Sequence, residues 1–132
     1  MREYEPHRSL VVWRDSVAAG DDADAPHEWL MPTRAGATVA DVVTGIATAR
    51  YLASIIGGKA TWIIQTDRPI AVVAQQWTEP RYLVSPDVPI SEVVADSPGR
   101  PHLEARYWCQ VDPARVYDCI RNGEPLPDRH SG

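Results

Sequence analysis

Thr38-Val39-Ala40-Asp41-Val42-Val43-Thr44-Gly45-Ile46, then Gly57-Gly58, then Thr61-Trp62-Ile63-Ile64-Gln65 and Ile70-Ala71-Val72-Val73-Ala74-Gln75, is the stretch that decides the fold class. Thr38 has a hydroxyl suited to an N-cap, and Asp41 stands three residues on, as a shorter form of the capping-box Glu. Val39, Val42, Val43, Ile46 and Ala49 repeat at three- and four-residue intervals, which places one apolar stripe of a helix towards a sheet. Gly57-Gly58 stops any continuation. The two runs that follow are β-branched and continuous, as in central strands covered on both faces, and Thr66-Asp67-Arg68-Pro69 joins them as a hairpin. Helix followed by hairpin predicts an α+β domain.

Working outward, Leu10-Val11-Val12-Trp13 reads as a first strand, and Glu28-Trp29-Leu30-Met31 as a second that Pro32 ends. Between them runs a long acidic connection, Gly20 to His27. Arg81-Tyr82-Leu83-Val84 reads as a short edge strand and Ile90-Ser91-Glu92-Val93-Val94 as a single helical turn. From His102 the chain alternates, sending Leu103, Ala105 and Tyr107 to the core and His102, Glu104, Arg106 and Trp108 to the other face. A last helix is capped by Asp112, has Pro113 in its first position, buries Val116, Cys119 and Ile120, and ends at Asn122-Gly123. One domain is expected over residues 1–132, with its core over about 9–123 and a loose polar tail over 124–132.

The order strand, strand, helix, strand, strand, turn, strand resembles the ubiquitin-like β-grasp. The resemblance is carried by Thr38 to Val43, the two strands after it, and Val88-Pro89-Ile90-Ser91-Glu92-Val93-Val94 before the strand at His102. It spans about Leu10 to Cys109 and implies a mixed β-sheet on one main helix, here with an additional C-terminal helix. Departures are the long first connection, the final helix, and an end at His130-Ser131-Gly132 in place of the terminal Gly-Gly through which ubiquitin and the sulfur carriers are activated. What the resemblance implies is a scaffold for binding other proteins.

Composition bounds the chemistry. A chain of 132 residues, 44% hydrophobic and 23% charged, folds on its core without a disulfide or metal. A net charge of -5 argues against a nucleic-acid partner, which calls for clustered basic residues. With no signal-peptide core near Met1 and no apolar run of spanning length, no membrane association is expected and cytoplasmic residence is the default. Twelve Arg to one Lys (Lys59), with frequent Ala, Val and Asp, reads as the codon bias of a GC-rich bacterium. Cys109 and Cys119 lack zinc-type spacing and read as two buried thiols, with a disulfide or a reactive thiol as the alternative.

No motif carries a reaction. Gly57-Gly58-Lys59 lacks the spacing of a phosphate loop, no Ser lies in a nucleophile elbow, and His102 and Cys109 have opposite strand parity. No catalytic residue and no cofactor is therefore expected. Asp21, Asp22, Asp24, His27 and Glu28 form the densest polar group. They make an acidic docking surface; the alternative is a metal-dependent enzyme or metal-binding module on Asp22, Asp24 and His27, with Gln75 or Gln76 near. His102, Glu104, Arg106 and Trp108 form a second candidate interaction face, with Trp108 either exposed or beneath the final helix. The function these residues favour is stoichiometric binding of another protein with a basic surface, of the bacterial immunity or inhibitor type. A small-ligand sensor is the further alternative.

Overall fold

The computed structural model describes residues 7–15, 28–49, 52, 58–94 and 101–128. They form an α+β structure with one six-stranded mixed sheet and two helices. Strands β1 (His7–Arg14) and β2 (Glu28–Arg34) precede helix α1 (Val39–Thr48). Strands β3 (Thr61–Gln65), β4 (Pro69–Ala74) and β5 (Arg81–Tyr82), a 3-10 turn at Ile90–Glu92, strand β6 (Leu103–Tyr107) and helix α2 (Pro113–Asn122) follow. The sheet order is β2-β1-β6-β3-β4-β5. β1 and β6 run parallel, and the other neighbours are antiparallel.

Helix α1 begins as its sequence dictates. The Asp41 amide donates to the Thr38 hydroxyl at 3.1 Å, and the Thr38 amide donates to the Asp41 carboxylate at 3.0 Å, a complete capping box. Val39, Val42, Val43 and Ile46 are buried. The stripe stops one residue short of expectation, because Ala49 is the exposed C-cap. Thus the helix closes well before the glycine pair; Gly57 lies outside the described residues, while Gly58 takes a left-handed φ of 71°. Met31 of β2 packs so closely under α1 that a Cβ at Gly45 would meet its methyl at 2.6 Å.

The Thr38 amide, and then the Arg34 guanidinium 2.9 Å away, hold the Asp41 carboxyl below its ordinary value of 3.8. A carboxyl with a lowered folded value stabilises the fold above the unfolded value and loses that contribution as pH falls through the folded one. Wild type is therefore expected to lose melting temperature more steeply than Asp41→Asn between about pH 4 and pH 2, checked by thermal melts along that series. Parallel slopes would contradict it.

β3 and β4 are covered on both faces, as their continuous apolar runs predict: Thr61, Trp62, Ile63 and Ile64 are all buried. Trp62 and Ile64 join Leu10, Val12, Leu103 and α1 in the larger core cluster. Ile63 and Val72 turn the other way, to Val111 and Val116 beneath α2. Helix α2 follows its sequence signals, with Asp112 accepting from the Ala114 amide at 3.0 Å and Gly123 closing it at a left-handed φ of 71°. Cys109 and Cys119, expected to be buried, are only half-buried. Cys119 borders a shallow depression with Asp118 and Glu124 on the outer side of α2.

Two further expectations change. Pro32 does not end β2, which continues to Arg34. β2 is an edge strand, so a residue without an N–H is accommodated wherever its nitrogen faces outward. The tail after α2 is held at its start: the Glu124 amide donates to the Cys119 carbonyl at 2.8 Å, and Pro127 is buried. No helix among the described residues is long and apolar enough to cross a membrane.

Candidate functional site

Strand registers assign the faces. Ser9, Val11 and Trp13 oppose Pro32, Leu30 and Glu28; Trp13 also lies level with Glu104, which pairs with Gln65, and Arg106 pairs with Ile63. Directly paired residues point to the same side of a sheet, so all of these share one face. α2 covers its β3-β4 half. Over the β2-β1-β6 half no described helix lies, and Leu30 stands there 60% exposed beside half-buried Val11 and Trp13. An exposed leucine one pair along from a tryptophan, with charged residues in the neighbouring register positions, has the composition that binding surfaces use.

The polar groups around this patch are fixed. Trp13 stands between two carboxylates, Glu28 on β2 and Glu104 on β6. Gln65 donates to Glu104 at 3.2 Å. One Asp15 carboxylate oxygen accepts from Arg106 Nε at 3.2 Å and from the Tyr107 amide at 3.0 Å, so Asp15 ties the end of β1 to β6 and aims Arg106. Tyr107 itself turns inward, its ring 4.9 Å from that of Trp62. Burial first, and then the neighbouring Cys109, push its phenol above the ordinary 10.0.

The residues expected from sequence divide three ways. Glu28, Glu104 and Arg106 come together on this face. His102 sits at the entry to β6, where its Nδ1 accepts from the Val11 amide at 2.9 Å and its own amide donates to the Val11 carbonyl at 2.8 Å. That ring extends the β1–β6 pairing. Trp108 is under α2, packed with the Ile63 and Val116 cluster, and its indole N–H donates to the Pro127 carbonyl at 2.8 Å. Of its two expected placements it takes the covered one.

Asp21, Asp22, Asp24 and His27 lie outside the described residues. In the chain they fall between Asp15 and Glu28, described residues that stand at the end of β1 carrying Trp13. Among the described residues no group of three His, Cys, Asp or Glu could hold a metal ion. Gln75, considered as a partner for such a site, accepts from the Ala60 amide at 3.2 Å. Trp77 stacks under the Arg81 guanidinium, 4.2 Å from ring centre to carbon, and so closes the β4–β5 end.

Sequence reasoning missed Leu30, Val11, Trp13 and Asp15 as site residues. Their strands were legible, but which face α2 would leave open was not. The β2 edge itself is blunted, since Pro32 interrupts any row of donors along it. That makes the β2 edge a poor template for strand addition. Comparison with family models, with curated proteins and with solved structures finds no match to this chain.

Proposed function

We propose that this protein acts in the cytoplasm by stoichiometric binding of another protein on the open half of its sheet, as an immunity or inhibitor-type protein does. The observation that carries this reading is Leu30, 60% exposed next to Trp13 on a face that no described helix covers. Glu28 and Glu104 flank the indole, and the Asp21, Asp22 and Asp24 carboxylates belong to the connection that starts and ends beside it. Together they favour a partner with a basic surface, drawn in by charge and held by apolar contact. The mechanism is occlusion of the partner's basic site.

The scaffold is read as a β-grasp. Support comes from the parallel contact of β1 with β6 in the middle of the sheet, with α1 crossing one face between the two hairpins. β5 and α2 are additions to that pattern.

Capture from a bacterial lysate on immobilised full-length chain tests the reading, using wild type, Leu30→Glu, a Glu28→Gln/Glu104→Gln double variant, and Arg121→Gln on exposed α2 as control. One protein is expected on wild type and control alike, weakened more than about tenfold by Leu30→Glu. The double variant is expected to weaken capture at low salt and to reduce its salt dependence, the three Asp carboxylates keeping the rest. Capture indifferent to Leu30→Glu would remove this face from the function.

A further inference from the structure

We propose a second binding site: the cavity at the Ser9 end of the sheet takes a small amphipathic carboxylic acid, hydrocarbon body inward and carboxylate at Arg34. It encloses about 450 Å³, within the range of ligand pockets. It stands at the opposite end of β1 from Trp13, so it does not depend on the protein-binding reading. Leu10, Ala37 and Ile90, all buried, supply an apolar floor.

The walls are fixed before any ligand arrives. The Ile90 amide donates to the Ala37 carbonyl at 2.8 Å, the Val39 amide to Val88 at 2.9 Å, and the Ala37 amide to Arg34 at 3.2 Å. These bonds lock the 3-10 turn against the β2–α1 turn. Gly36 holds the latter turn at a left-handed φ of 79°, and a Cβ there would meet nothing within 4 Å, so the rim is open above its backbone.

The charge of the lining selects the ligand. In a protein of net charge -5, no Asp or Glu among the described residues lines this cavity, whereas Arg34 does. Arg34 uses one donor, Nη2, on Asp41 at 2.9 Å, in a pair whose side chains are 69% and 42% exposed. Such an exposed pair contributes little, and a guanidinium has five N–H donors, so a ligand carboxylate has donors to engage. Ser9 and Ser91 add hydroxyls. Donors around an apolar floor match a carboxylate on a hydrocarbon.

Titration of the isotopically labelled full chain with octanoate, followed by amide NMR shifts and compared with octanamide, tests this. Octanoate is expected to give saturable shifts at Leu10, Gly36, Ala37 and Ile90 and to bind about tenfold tighter than octanamide, the factor one added charge-assisted hydrogen bond supplies. Arg34→Gln should erase that preference and leave octanamide binding unchanged. Ser91→Trp, on the exposed rim, should block both probes while shifts elsewhere keep their wild-type values. Absence of saturable shifts, equal affinity for the two probes, or shifts centred on Val11, Trp13 and Leu30 would each overturn the proposal.

Discussion

Trp62→Ala is expected to remove about 4 kcal/mol of stability, a large fraction of the ~5–15 kcal/mol that holds a domain together. The indole is 2% exposed, in the middle of the sheet between β6 and β4, and it packs on the Tyr107 ring and into the cluster that includes Val43 and Ile46 of α1. Removing it withdraws contacts from the α1 side of the sheet, and the surrounding backbone, pinned by ladders on both sides, cannot collapse into the space. Urea unfolding read by circular dichroism should show a midpoint shift with little change in slope. Trp62→Phe keeps an aromatic against Tyr107 and is expected to cost less than half as much. A Trp62→Ala cost below about 1.5 kcal/mol would mean that this core is not packed as described.

Asp15→Ala is the second large effect, expected at about 2 kcal/mol. The Asp15 carboxylate holds the Tyr107 amide and Arg106 Nε at once, where the β1–β6 ladder has run out. Deleting it leaves a backbone donor without its acceptor and lets Arg106 leave its position beside the Trp13 patch. Asp15→Asn retains a carbonyl acceptor and should recover about half of the loss. Arg106→Gln removes only the ion pair, whose Arg side chain is 37% exposed, and should cost under about 1 kcal/mol. Denaturation of the three variants separates these cases: an Asp15→Ala cost no larger than that of Arg106→Gln would show that the backbone bond carries nothing.

What the sequence made legible was local. Asp112-Pro113 and Asn122-Gly123 bound α2 because a cap, a proline at the first position and a left-handed glycine act within one turn. Thr38 and Asp41 start α1 for the same reason. Leu103 to Tyr107 alternated as read, buried and half-buried in turn. Pro32 was misjudged because its tolerance depends on β2 being an edge, and edge position is set by which strand lies elsewhere in the sheet. Trp108 follows the parity of Glu104 and Arg106, yet the chain turns at Cys109, which has a left-handed φ of 56°, and α2 then packs over it. Leu30 sat in an apolar run, Trp29-Leu30-Met31, with no alternation to mark it as outward. Its exposure follows from α2 covering half of a face and no more, a tertiary outcome that no short window of sequence encodes.

The measurement that tests the central claim most directly is an amide hydrogen-exchange footprint of the full chain with and without its captured basic partner. Slowed exchange concentrated on the peptides carrying Val11–Trp13, Glu28–Pro32 and Glu104–Arg106, at one partner per chain, is the predicted result. Protection confined to α2 or to the β4–β5 end, with the Leu30 peptide unchanged, would contradict it.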